Sequence, residues 1–262
     1  METSTSDKGR QQKKTHFDKD TGTIDRECIN FNAEGDKKRG YGKTKEFDDH
    51  PLLTPQLAVI VGTCGSGKTI LALNVLDEIM NSVNPAKLGK VMVYSGSPQD
   101  SALKHIDRDS VDVYSPETAQ SLLDDLRSLS LDMENFSDDA TDKPFNVLLL
   151  DDAGNSKELS PTVAKGSEIG NVFVSHRHLN LFVIVLAQKF KMLNTFLRSN
   201  MSRCFIFPSS KSEEDDVLKD LPLPKESLQK TLRAISSKPH QFLHVDVKRR
   251  TATRGFSELV LS

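Results

Sequence analysis

From residue 57 onward, apolar residues fall into short continuous runs, separated by longer stretches in which they recur every three or four positions. Short runs bounded by turn formers have the pattern of buried parallel strands, and the 3.6-residue period marks amphipathic helices. The runs predict strands at 57–61, 91–95, 111–114, 147–150, 182–187, 204–207 and 242–247. Helices are predicted in the intervals, at 68–83, 116–131, 161–176 and 225–236. Strands and helices in alternation predict an α/β fold, a mainly parallel sheet flanked by crossover helices. The stretch DMENFSDDATDK at 132–143 is polar and acidic and reads as a surface loop. No internal repeat is visible.

The first 50 or so residues lack this patterning; they are crowded with Lys, Asp, Glu, Thr and Gln and carry too little apolar surface to offset the entropy of ordering. The chain therefore divides into a polar, flexible arm at 1–54 and a folded domain at 55–262. Within the arm, KKRG at 37–40 reads as a solvated charge run, with a nuclear address or a phosphate patch as the alternatives. Over all 262 residues, 35 Lys and Arg against 37 Asp and Glu leave a formal charge of −2, which excludes a general polycation. Any contact with nucleic acid must be local. Cys28, Cys64 and Cys204 stand too far apart for a zinc motif or a disulfide framework, which points to a reducing, intracellular compartment. The longest apolar run, 181–187, is far short of the roughly 20 residues that cross a bilayer, so no membrane role is expected.

The segment LAVIVGTCGSGKTILALNVL carries the strongest chemical signal, because a buried-type strand enters Gly62, Thr63, Cys64, Gly65, Ser66, Gly67, Lys68 and Thr69 and leaves as an amphipathic helix. This is the P-loop pattern in its required context. Glycines let the backbone N–H groups approach phosphates, and the helix N-terminus adds its positive dipole end. Lys68 is placed for the β- and γ-phosphates of ATP and Thr69 for Mg2+.

Next, FNVLLLDDAG delivers Asp151 and Asp152 at the carboxyl end of a strand, the edge where open parallel sheets bind ligands. Asp151 suits the magnesium side of a Walker B motif, and Asp152 a base that orients water. Glu158 and Glu168 compete for that second role. About 85 residues separate the two strands, a spacing that favours an extra strand between them in the sheet. The strand LFVIVLA ends at Gln188, in register to sense the γ-phosphate or hold the water.

Arg198 and Arg203 precede the next strand, and either could serve as a finger on a neighbouring subunit's nucleotide, with Arg203 ahead; a salt bridge is the plain alternative. A finger acting between subunits requires an oligomer. His176, Arg177 and His178 read as cationic decoration of a helix C-terminus, or as a contact for nucleic acid or a neighbouring subunit. The run Lys248, Arg249, Arg250, with Arg254 nearby, is a second basic cluster suited to DNA phosphates.

In this order and spacing, GTCGSGKT, VMVYSGSP, VLLLDDAG, SHRHLNLFVIVLAQ and LRSNMSRCFIF resemble the poxvirus-type genome-packaging ATPases of large eukaryotic DNA viruses and virophages, within the FtsK/HerA superfamily. The resemblance spans about 55–256. It implies a RecA-like P-loop NTPase core, a homo-oligomeric ring, ATP-driven translocation of double-stranded DNA into a capsid, and hence capsid-protein partners. It also implies an arginine finger just before the strand at 204–207, which is why Arg203 leads, and a location in the host cytoplasm, a virus factory or the virion. Asp152 departs from the more frequent Glu, and the arm matches nothing in the family. A helicase, a partition-type ATPase and a nucleotide-binding scaffold remain the alternatives.

Overall fold

A computed structural model describes residues 52–97, 103, 106, 108–137, 142–160, 166–237, 239–256 and 258–261. The KKRG run and Cys28 lie outside the described residues. Leu52 and Leu53 are already buried in the core, so packed structure begins slightly before the expected boundary at 55.

In chain order the elements are β1 (Gln56–Val61), α1 (Lys68–Ser82), β2 (Leu88–Ser95), β3 (Asp112–Tyr114), α2 (Ala119–Glu134), β4 (Phe145–Asp151), α3 (Glu168–Ser175) and β5 (Leu181–Ala187). There follow α4 (Thr195–Asn200), β6 (Arg203–Ile206), α5 (Lys211–Lys219), α6 (Lys225–Ile235), β7 (Leu243–Asp246), β8 (Thr251–Arg254) and β9 (Glu258–Leu261). They build one sheet in the order β3-β2-β4-β5-β1-β6-β7-β8-β9. The strands from β3 to β6 in that order run parallel, and β7, β8 and β9 add on antiparallel. The expected α/β fold with a mainly parallel sheet is thus present, and β5 is the extra strand between β1 and β4.

Period-two alternation divides the side chains of the central strands between two cores. Leu57, Val59, Val61, Leu148, Leu150, Val183 and Val185 face the layer holding α2 and α3. Ala58, Ile60, Val147, Leu149, Phe182 and Ile184 face α1, which offers Leu71, Val75, Leu76 and Ile79. Every position of β1, β4 and β5 is buried, which is why these strands read as continuous apolar runs. Truncating one of these Leu or Ile side chains to Ala would cost about 2–5 kcal/mol.

The structure departs from the sequence pattern in several places. Pro116 opens a single 3-10 turn capped by Ser115, and α2 runs on to Glu134, so the presumed loop at 132–143 begins as helix. Burial of Met133 extends it. The helix expected at 161–176 is seen as α3 alone, with 161–165 outside the described residues. The elements α4, α5, β8 and β9 were not evident in the pattern. Among the described residues, no helix is long and apolar enough to cross a membrane.

Candidate nucleotide-binding site

Where β1 ends, the Gly62 amide donates to the Ala187 carbonyl (3.2 Å), and the Ser66 amide closes the loop on the Thr63 carbonyl (3.3 Å). Gly62 is sterically required, since a β-carbon there would stand 2.7 Å from Ser66 Oγ and 2.8 Å from Phe207 Cβ. Gly67, at φ 104°, turns the chain left-handed into α1, and no side chain caps that helix. Beside Gly65 a β-carbon would meet nothing within 4 Å, so the loop opens outward there.

Lys68 and Thr69 are the first residues of α1. Lys68 Nζ donates to the Thr63 carbonyl at 2.8 Å. Burial holds its ammonium below the ordinary lysine value, opposed by the charges of Asp151, Cys64 and Asp152. Thr69 Oγ1 donates to Asp151 Oδ2 at 2.9 Å, bridging 82 residues of sequence. Asp151 is the buried last residue of β4. Asp152 follows in the left-handed region (φ 51°) and accepts from Ser97 Oγ at 3.3 Å. Gln188 is exposed directly after Ala187, the register partner of Val61. Lys68, Thr69, Asp151, Asp152 and Gln188 therefore converge on the carboxyl edge of the sheet.

The other candidates have partners of their own. The Arg127 Nε–H donates to Glu168 Oε1 at 2.8 Å, and exposed Glu158 accepts from Ser156 Oγ at 3.1 Å, while Asp152 directly follows Asp151 at the end of β4. Arg203, ranked first as the finger, is turned inward: Nε donates to Gln56 Oε1 (2.6 Å), Nη1 to His244 Nε2 (3.1 Å), and Nη2 pairs with Asp246 Oδ2 (3.4 Å). It is an internal clamp between β1, β6 and β7. Arg198 is partly exposed, donates to Asp220 Oδ2 (2.5 Å) and Thr195 Oγ1 (3.0 Å), and stacks over Phe190. Its Nε has no partner among the described residues. His176 is buried with Nδ1 against the Phe173 carbonyl (2.9 Å), whereas Arg177 and His178 are exposed.

Sequence reasoning missed His240. Its Nδ1 lies 3.1 Å from the Ser66 carbonyl, and its ring packs on Gly67. It arrives from the α6–β7 connection, 174 residues away, and nothing in the local pattern signals it.

The residues fit MgATP. The glycine loop opens outward at Gly65, Ser66 Oγ is buried without a partner among the described residues, and the Thr69–Asp151 pair supplies two hard oxygen donors.

The sequence profile of the poxvirus A32 protein family matches residues 44–245. The chain belongs to that family. This A32 family member also resembles the DNA-packaging ATPase B204 of Sulfolobus turreted icosahedral virus, at TM-score 0.56 and 15% identity over 77% of this chain and 97% of that one. The genome-packaging NTPase B204 of Sulfolobus turreted icosahedral virus 2, solved with ATP-gammaS, gives TM-score 0.54 and 16% identity over 76% and 95% of the two chains. At this identity the likeness concerns the fold. No curated protein matches the A32 family chain by sequence.

Proposed function

We propose that this A32 family protein is an ATP-hydrolysing motor that drives double-stranded DNA into a viral capsid. The observation that carries the reading is the 2.9 Å bond from Thr69 to Asp151, which joins P-loop and Walker B at the edge where Lys68, Asp152 and Gln188 also stand. The packaging role is supported by family membership and by the fold shared with packaging ATPases.

In this reading the loop from Gly62 to Thr69 and Lys68 hold the triphosphate of ATP. Mg2+ bound with it would take the Thr69 hydroxyl and the Asp151 carboxylate, and would neutralise phosphate charge. Asp152 orients the attacking water and accepts its proton; Gln188 contacts the γ-phosphate side of that water. Arg198 of a neighbouring copy in a homo-oligomeric ring completes the charge stabilisation, its planar fork matching phosphate oxygens. Capsid protein is the docking partner, within the infected cell or the virion.

The test is steady-state ATP hydrolysis with and without duplex DNA, with Lys68→Ala as the blank. Stimulation by DNA that vanishes in the variant is expected. Turnover indifferent to DNA would overturn the motor reading, and tight nucleotide binding without turnover would make the protein a scaffold.

A further inference from the structure

The two basic stretches of the sequence, 176–178 and 248–250, are about 70 residues apart along the chain but lie on the same edge of the sheet. The first forms the turn between α3 and β5, closed by the Leu181 amide on the His176 carbonyl (2.8 Å) and the Asn180 amide on the Arg177 carbonyl (3.1 Å). The second forms the hairpin between β7 and β8, held by the Val247 amide on the Ser202 carbonyl (2.9 Å) and the Arg249 amide on Asp246 Oδ1 (2.9 Å). Because β5 and β6 run parallel to β1 while β7 runs antiparallel, both turns sit at the amino edge of the sheet, opposite the P-loop. The start of β5 and the end of β7 lie three strand spacings apart, about 14 Å.

Arg177, His178, Lys248, Arg249 and Arg250 are all exposed there. Partial desolvation of its stem and the neighbouring charges of Arg177 and Arg203 hold the Lys248 ammonium below its usual value, with Asp246 opposing, so the two turns share one electrostatic field. Asp246 is itself taken by Arg203 Nη2 and the Arg249 amide. In a chain of net charge −2, Arg177, Lys248, Arg249 and Arg250 are a local concentration of cations held near one another, an arrangement that a polyanion relieves.

We propose that this amino-edge surface, built from Arg177 and His178 on one turn and Lys248, Arg249 and Arg250 on the other, grips the phosphate backbone of duplex DNA. The proposal rests on the motor reading and adds where the track is held, on the side of the sheet away from ATP. A duplex presents one phosphate per about 1.7 Å of axis, so several face a strip of this length. Contacts to phosphate alone carry no base sequence, as transport of a whole genome requires.

The experiment measures binding of a fluorescent 30-base-pair duplex by the full chain from about 0.05 to 0.2 M salt. The variants are Arg177→Gln, Lys248→Gln with Arg249→Gln, and all three together. Lys230→Gln with Arg233→Gln, on α6, removes charge from another exposed site. Each amino-edge variant should weaken binding, the combined one at least tenfold, and the combined slope of log affinity against log salt should shrink by about two to three. The α6 variant should bind as wild type does. Equal weakening by the α6 variant, or an unchanged slope in the combined one, overturns the surface while leaving the motor reading intact. Loss of self-association with DNA binding retained would assign the surface to a subunit contact and likewise overturn it. A wild-type chain that neither binds duplex nor responds to it overturns both.

Discussion

The carbonyl oxygen of Asp152 occupies the space into which a β-carbon on Gly96 would project. The Gly96 amide in turn donates to the Asp151 carbonyl at 2.9 Å, so the end of β2 sets the left-handed backbone that aims Asp152. Gly96→Ala should destabilise the fold by about 1–3 kcal/mol through overpacking and reduce ATP turnover with it. Asp152→Asn tolerates the same backbone but lacks the charge, and turnover should drop about 10²–10⁴-fold with little change in the urea midpoint. Denaturant unfolding and steady-state kinetics on the two variants separate backbone from base.

Substitutions at the Thr69–Asp151 pair should act on metal dependence. Thr69→Ser keeps the hydroxyl and should retain most activity. Thr69→Ala and Asp151→Asn should lower turnover by about 10²–10³-fold, with part of the loss recovered at high Mg2+ in the Thr69 variant. A magnesium titration of hydrolysis checks this; equal, magnesium-independent losses in all three would count against metal ligation.

The two arginines should separate by phenotype. Arg203→Ala leaves Asp246 buried without its partner and should cost about 3–5 kcal/mol of stability, read from thermal unfolding. Arg198→Ala removes a partly exposed pair with Asp220, worth up to about 1 kcal/mol, with the bond to Thr195 and the stack on Phe190, so it should cost less stability than Arg203→Ala yet abolish turnover. Mixing Arg198→Ala with Lys68→Ala should restore hydrolysis, because one supplies the intact site and the other the intact arginine. Absence of such rescue would argue against action between subunits.

His244 should make stability depend on pH. Arg203 Nη1 donates to its Nε2, and its Nδ1–H donates to Thr253 Oγ1, whose own proton goes to the Gly255 carbonyl, so the folded ring is neutral. Burial, and then the Arg203 charge, push its pKa down to about 3, with Asp246 opposing. The unfolded chain, with an ordinary value near 6.5, binds more protons below that pH than the folded one does. Stability is therefore fully present above about pH 6.5 and is lost as the pH falls toward 3, by up to roughly 2 kcal/mol between pH 7 and 5. Urea midpoints at those two pH values should show a smaller drop for His244→Gln than for wild type.

Much of the site was legible because its chemistry is local. The P-loop is one continuous segment, and Asp151, Asp152 and Gln188 each end an apolar run, which fixes the sheet edge they occupy. The long gap between P-loop and Asp pair also foretold a strand between β1 and β4. The hidden parts depend on distant partners. Arg203 looked free for a neighbour because Gln56, His244 and Asp246 are invisible from its own neighbourhood. The β7–β8 hairpin turns through Arg250 at φ 55°, where Gly or Asn usually gives the signal, and so the last strands were overlooked. The α5 helix had a readable start, Ser210 capping the Glu213 amide, but its polar sequence lacks an apolar stripe.

One strand carries the mechanical consequence. β5 begins beside the turn of Arg177 and His178 and ends at Ala187, next to Gln188, and all seven of its residues are buried between neighbours on both edges. Over roughly 20 Å it is a stiff rod with no slack along its length. On the proposed motor reading, a shift at one end of such a strand would reach the other as displacement, with no hinge between them. In the motor proposed above, the give between DNA grip and nucleotide site would lie in the short turns at the strand's tips, and a glycine inserted into either tip should abolish DNA stimulation of hydrolysis with little change in the thermal midpoint.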